Sequence, residues 1–266
     1  SLQELLIVKI GTDTITRDGR LDQRMLANVT EEIAELTREG IRVVLVASGA
    51  VGAGIPAHAT AEQRELLRTI RPTVSTVGQI KLMNALSYHL DHHDIEVAQW
   101  LTEPHDFDSE EGKASMLQNF DNLPIVEGVY GKPIIPILNT NDFVTPEGFE
   151  TDNDRLAGFA TSIFPAIRKR LVLLTNKPGL MTDLHDDSSV IREIRVGEED
   201  WRQYICSDTS PNGSGDMGSK YDVAEGAALE GHCSFIGDGK VQGAIRRLLD
   251  RIDGTIFLPP GYTDDS

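Results

Sequence analysis

The sequence predicts an α/β fold built on a mainly parallel sheet, and three observations carry that reading. Short apolar runs alternate with segments of helical periodicity from one end of the chain to the other. The runs are nearly continuous in Val, Ile and Leu, as in strands buried on both faces, and do not alternate apolar with polar. Several of them empty into loops rich in glycine, Asn or Asp, at the strand end where open α/β sheets bind ligands. The 266 residues suffice for one large domain or two small ones, and no internal repeat or low-complexity linker divides them.

Taken in order, residues 5–10 (LLIVKI) form a buried strand interrupted by one charge, Lys9, with Gly11 directly after it. A lysine there either carries its ammonium out to solvent or meets an anion. Asp22 caps a helix reaching Glu39, with Leu26, Val29, Ile33 and Leu36 as its apolar face and Gly40 as its stop. Residues 41–47 (IRVVLVA) are a second buried strand that runs into a small-residue loop over 48–54. Such a loop either exposes backbone N–H groups to an anion or serves close packing.

Helices are expected over 61–70 and 73–93, the second with Val77, Ile80, Leu82, Met83, Leu86 and Leu90 inward. A strand over 95–101, an acidic loop over 102–112 and a short helix lead to the most informative stretch. There Ile134, Ile135, Ile137 and Leu138 make a buried strand, followed by Asn139, Thr140, Asn141 and Asp142, a loop, and then Thr151, Asp152, Asn153 and Asp154 opening a helix. Asn and Asp favour turns and helix starts, but these eight Asn, Thr and Asp residues around one strand end point to a small polar ligand. Beyond it lie a strand at 171–174 ending in Thr175 and Asn176, a polar loop at 183–189 and an irregular stretch at 201–214. A helix over 221–230, a strand at 232–236, a helix over 239–249 and a last strand at 255–258 complete the alternation.

Composition narrows the function. Asp plus Glu number 42 against 25 Lys plus Arg, for a net charge of −17, which disfavours a nucleic-acid groove or an anionic membrane surface. That acidity fits either adaptation to high salt or an ordinary acidic protein. No apolar run approaches the roughly 20 residues of a membrane span. A strand begins almost at the first residue, so no signal peptide is expected and a cytoplasmic location is. Cys206 and Cys233 show no metal spacing and are expected as reduced thiols. His92 and His93 fall at a helix end, where they are read as capping or solvated groups.

Residues 213–218 match G-x-G-x-x-G, but the expected strand directly before Gly213 is missing, so the dinucleotide fingerprint is weak. What remains is a glycine loop opening a helix with Lys220 beside it, an arrangement that favours a polyphosphate. With Lys9 on the first strand and the amide–carboxylate loop at the centre, the chain reads as a phosphoryl transferase for a small polar acceptor.

The segments IVKIGT (7–12), ASGAVGAG (47–54), VGQIKLM (77–83), IPILNTNDFV (135–144), DNDRLA (152–157), LLTNKPGL (173–180) and GSGDMGSK (213–220) resemble, in order, the glutamate 5-kinases of the amino acid kinase family. The resemblance implies a three-layer αβα sandwich forming one domain over 1–266, with an amino-acid half over about 1–168 and a nucleotide half over about 169–258. It implies transfer of a phosphoryl group from ATP, with Mg²⁺, to the glutamate γ-carboxylate, the first step of proline synthesis. Residue by residue, it places Ser48, Asn139, Asp142 and Asn153 at the glutamate site. Lys9 and Lys220 match lysines that stabilise the transferring group, and Asp154 the acid that orients them. Thr175, Asn176 and the loop Gly213, Ser214, Gly215, Asp216, Met217, Gly218, Ser219 and Lys220 match nucleotide-binding positions.

The chain departs from the family pattern at Asp13, Glu103, Thr140, Asn176 and Asp216, and it is read as lacking the C-terminal RNA-binding-like domain of many members. Asp216 stands where a phosphate-facing glycine is usual, so its carboxylate either turns to solvent or contacts Mg²⁺. A homo-oligomer without nucleic-acid or membrane partners is expected, and feedback by proline is left open. The rival readings are another acceptor within the same family, a non-catalytic amino-acid or nucleotide sensor, and a Rossmann dehydrogenase.

Overall fold

The computed structural model describes residues 2–17, 20–144, 153–183, 185–198, 200–204 and 216–263. In chain order its elements are β1 (Glu4–Ile10), α1 (Thr12–Ile15), β2 (Thr16–Arg17), β3 (Arg20–Leu21), α2 (Gln23–Arg38), β4 (Arg42–Ala47), α3 (Ala50–Gly54), α4 (Ala61–Thr69) and α5 (Arg71–Asp91). They continue with β5 (Glu96–Thr102), α6 (Pro104–Asp108), α7 (Glu110–Tyr130), β6 (Ile134–Thr140), α8 (Asn153–Ile163), β7 (Arg168–Thr175), β8 (Glu193–Arg195), α9 (Asp216–Leu229), β9 (Cys233–Asp238), α10 (Ala244–Leu249) and β10 (Thr255–Leu258).

Eight strands form one sheet in the order β5-β6-β4-β1-β7-β9-β10-β8. Every pairing from β5 to β9 is parallel, while β10 runs antiparallel to β9 and carries β8 parallel to itself. The expected mainly parallel α/β sheet is therefore present. The two-residue period of β1 divides the core in two. Leu6, Val8 and Ile10 join α2, α5 and α10 on one face, and Leu5 and Ile7 join α7, α8 and α9 on the other. Among the described residues no helix is long and apolar enough to cross a membrane.

Local signals place several elements. The Asp22 carboxylate accepts from the backbone N–H groups of Arg24 and Met25, starting α2 as expected. Its predicted apolar face, Leu26, Val29, Ile33 and Leu36, is buried. Thr60 and Gln63 form a capping box at α4.

Other expectations fail for identifiable reasons. In α5, Leu82, Met83, Leu86 and Leu90 are buried, but Val77 and Ile80 are 51% and 64% exposed. Helical phase explains the difference: four, seven and eight residues before Leu82 stand Gly78, Ser75 and Val74, and these three are buried. The inward face at that end is made of small residues because α3 lies across it. A Cβ on Gly78 would sit 1.6 Å from the Ala50 carbonyl oxygen.

The stretch read as an acidic loop and a short helix is instead α6 followed by the 21-residue α7, which contains Pro124. Ser109 caps α7 and Gly131, at φ +70°, ends it. Strand β8 has one buried residue, Ile194, too weak a pattern to read from sequence. The last helix is confined to Ala244–Leu249, because residues 239–243 are turns.

Two glycine substitutions separate packing from propensity. Gly78→Ala is expected to destabilise the protein by about 1–3 kcal/mol, since its methyl group must displace backbone. In Gly128→Ala, in α7 with nothing within 4 Å of the new methyl group, helix propensity should raise stability by up to about 1 kcal/mol. Denaturant unfolding of both variants measures this, and a neutral Gly78→Ala contradicts the α3–α5 contact.

Candidate active site

The parallel register aligns the carboxyl ends of β7, β1, β4 and β6 along one edge of the sheet. Lys9 is one residue from the end of β1, and its phase puts it on the face of Leu5 and Ile7, beneath α8 and α9. Asp154 lies in the first turn of α8, and Lys220 on the first turns of α9. Lys9 Nζ is 2.6 Å from Asp154 Oδ1, and Lys220 Nζ is 3.0 Å from Asp154 Oδ2. The three side chains are 3%, 0% and 1% exposed. Lys9 therefore does not reach solvent, and one carboxylate holds two ammonium groups. The cluster carries one net positive charge in a buried site, where an ion interacts much more strongly than in water. The carboxylate also stands at a helix N-terminus, where the backbone dipoles favour it.

Beside the cluster runs a chain of amides. Asn153 Nδ2 donates to Ser48 Oγ and to Asn139 Oδ1, both at 3.0 Å. Asn139 Oδ1 also accepts from the Thr140 N–H at 2.9 Å, and Asn139 Nδ2 donates to Gln79 Oε1 at 2.8 Å. Ser48 follows β4, where Gly49 adopts φ +103° and lets α3 begin at once. Gly54, at the far end of the same small-residue loop, packs against Val74. Asp142 sits on the turn after β6, where its carboxylate accepts from Thr140 Oγ1 at 3.0 Å. Burial pushes the Asp142 carboxyl above its usual pKa, opposed by the Thr140 hydrogen bond and the Arg71 charge. A cleft of about 280 Å³ opens between α5 and this turn, lined by Ser75, Gln79, Gln99, Thr140 and Asp142 among others.

On the other side, Thr175 ends β7 with its hydroxyl 3.5 Å from Asn176 Oδ1 and 3.7 Å from Met217 Sδ. Met217, Gly218 and Ser219 fall on the first turn of α9, and Ser219 Oγ is buried with no hydrogen-bond partner among the described residues. Gly213, Ser214 and Gly215 lie outside the described residues, as does the side chain of Asp216.

The fold thus brings together Lys9, Asp154 and Lys220, and, separately bonded, Ser48, Asn139 and Asn153. Sequence reasoning gave no role to Gln79 and placed Thr140 in the polar cluster without naming a partner for it, and both join these networks. The available signal for Gln79 was its place in α5, next in the chain to the inward-facing Gly78. For Thr140 it was a hydroxyl two residues before Asp142.

The amino acid kinase family profile matches residues 4–237. A glutamate 5-kinase of Chlorobaculum tepidum is 33% identical over 91% of this chain and 65% of its own length. One from Bacteroides thetaiotaomicron is 33% identical over 96% of this chain and 70% of its own, and one from Halorhodospira halophila is 31% identical over 95% and 67%. The chain thus spans about two thirds of the length of the curated relatives it matches. In fold it is similar to the isopentenyl phosphate kinase of T. acidophilum in a product complex, at TM-score 0.57 and 12% identity over 95% of this chain and 99% of that one.

Asp154→Asn is expected to lower the unfolding free energy by about 3–5 kcal/mol, because it leaves two buried ammonium groups around a neutral amide. Urea unfolding at pH 7 measures the loss. A change under about 1 kcal/mol would mean that the two lysines do not depend on that carboxylate.

Proposed function

The chain belongs to the amino acid kinase family, and from that membership and the geometry of its site we propose that it phosphorylates the γ-carboxylate of glutamate with ATP. The product is glutamyl 5-phosphate, which opens proline synthesis. The observation that carries this reading is the buried Lys9–Asp154–Lys220 cluster next to the amide chain of Ser48, Asn139 and Asn153. The curated relatives named above support glutamate as the acceptor.

In the proposed reaction a γ-carboxylate oxygen attacks the terminal phosphorus of ATP. The new O–P bond forms as the bond to the β-phosphate oxygen breaks, and ADP leaves with the electron pair. Little covalent work falls to the protein: such transfers need alignment and charge neutralisation. Lys9 and Lys220 face the oxygens of the group in transfer. Asp154 holds the two lysines in place before substrate arrives, so little reorganisation is needed during the reaction. Ser48, Asn139, Asn153 and Asp142 hold the amino acid, and Thr175, Asn176 and residues 213–220 hold the nucleotide. On this division residues 1–168 serve the acceptor and residues 169–258 the nucleotide.

Among the described residues no group of three or more His, Cys, Asp or Glu is placed to hold a metal, and both oxygens of Asp154 face ammonium groups. These side chains suit a phosphate and do not form a metal cage. Mg²⁺ is expected to enter on the ATP phosphates and to neutralise part of their charge.

Hydroxylamine trapping tests the proposal, because it converts an acyl phosphate into a hydroxamate. With ATP and Mg²⁺, L-glutamate should give hydroxamate and ADP in equal amounts, at a kcat/KM at least about tenfold above that for L-aspartate. A different acceptor exceeding glutamate would move the assignment elsewhere in the family. Nucleotide binding without turnover on any acceptor would favour a sensor.

A further inference from the structure

The amide chain at the carboxyl edge has a direction, and one backbone group sets it. A backbone N–H can only donate, so the 2.9 Å bond from Thr140 fixes Asn139 Oδ1 as an acceptor. Asn139 then has its nitrogen to offer Gln79, whose Oε1 accepts at 2.8 Å. Asn139 Oδ1 also takes Asn153 Nδ2 at 3.0 Å, which fixes that amide too. Flipping any one amide would set donor against donor or acceptor against acceptor. Two atoms remain at the ends of the chain: Gln79 Nε2, a donor, and Asn153 Oδ1, an acceptor. Both are buried and have no hydrogen-bond partner among the described residues. Buried polar groups are nearly always bonded, so each such atom calls for an explanation.

Position supplies one. Gln79 lines the cleft together with Thr140 and Asp142. In the sheet order, β6 is two strands from β1, beyond β4, and neighbouring strands lie about 4.8 Å apart. A substrate whose reacting carboxylate meets Lys9 and whose other end enters this cleft lies along the edge toward the Asn139–Gln79 end. We propose that Gln79 determines acceptor specificity: its Nε2, aimed by Asn139, donates to the α-carboxylate of the amino acid. The proposal rests on the phosphoryl-transfer reading above. The Asp142 carboxylate, which lines the same cleft as Gln79, is an acceptor for an ammonium. One donor and one acceptor on the same cleft match the zwitterionic head of an amino acid, and a plain monocarboxylate presents only half of that pattern.

Gln79→Glu separates this role from simple bracing of Asn139. Glutamate at this position keeps an oxygen to accept from Asn139 Nδ2 and replaces the outward donor by a second acceptor. The paired substrates are L-glutamate and its α-amide, assayed by hydroxylamine trapping at pH 8. The wild type should prefer glutamate. In Gln79→Glu the KM for glutamate should rise about tenfold or more and the preference should shift toward the α-amide, with the KM for ATP changed less than about threefold. Gln79→Met, of similar volume and without the donor, covers the case in which Gln79→Glu does not fold. It should raise the KM for glutamate and abolish discrimination between the two compounds. If both variants keep the wild-type ratio, whatever their kcat or melting temperature, Gln79 only braces Asn139 and the proposal is wrong. A wild type that forms no hydroxamate from either compound overturns the phosphoryl-transfer reading beneath it, an outcome distinct from active enzyme with unaltered selectivity.

Discussion

The site is organised around a single carboxylate. Asp154 bridges two buried ammonium groups, one on β1 and one on the first turns of α9, and leaves the cluster one net positive charge. An isolated ammonium in such surroundings is far less stable than in water. The two lysines would also repel each other without the anion between them. The requirement reaches into the fold. Lys9 has to fall on the β1 face that looks toward α8 and α9, and both helices have to begin at the carboxyl edge. Replacing the triad by apolar groups of like volume would relieve the desolvation cost and remove the charge. That a protein retains such an arrangement in its interior fits a site that must meet a polyanion.

The neighbouring amide chain complements this. It carries no net charge, and its order comes from the donor–acceptor polarity that the Thr140 backbone imposes on Asn139, Gln79 and Asn153. Charge suits a phosphoryl group whose negative oxygens must be neutralised, whereas fixed hydrogen-bond polarity suits a ligand that must be distinguished from others of the same charge. Having both along one sheet edge follows from the topology. In a parallel sheet every carboxyl end faces the same side, so residues distant in sequence, such as Ser48 and Asn153 at a separation of 105, meet at one edge.

The sheet was legible in the sequence because buried parallel strands are almost uniformly apolar, and 41–47, 134–138 and 171–174 fall within β4, β6 and β7 or start one residue before them. Long α7 was not, since Pro124 and a weak apolar stripe obscured it. The inward face of α5 was misread where hydrophobicity and helical phase disagree. Val77 and Ile80 are large and exposed, and Gly78 and Ser75 are small and buried. For the site, the residue types were legible locally, whereas the partnership of Asp154 with the two lysines came only from the family resemblance. Lys9 announced itself as a charge in an apolar strand, but nothing local named Asp154 as its anion. Gln79 is an ordinary helical glutamine until Asn139 is placed against it.

The central claim is that Lys9 and Lys220 act on the phosphoryl group in flight more than on bound nucleotide. The direct measurement compares ADP·Mg with ADP·Mg plus aluminium fluoride, an analogue of that group, by calorimetric titration at saturating glutamate. It is made with the wild type and with Lys220→Met, in which Asp154 keeps Lys9. The account predicts that Lys220→Met weakens the analogue about 100-fold or more and ADP·Mg by less than about threefold. Equal losses for the two ligands would assign Lys220 to ground-state nucleotide binding and contradict the account.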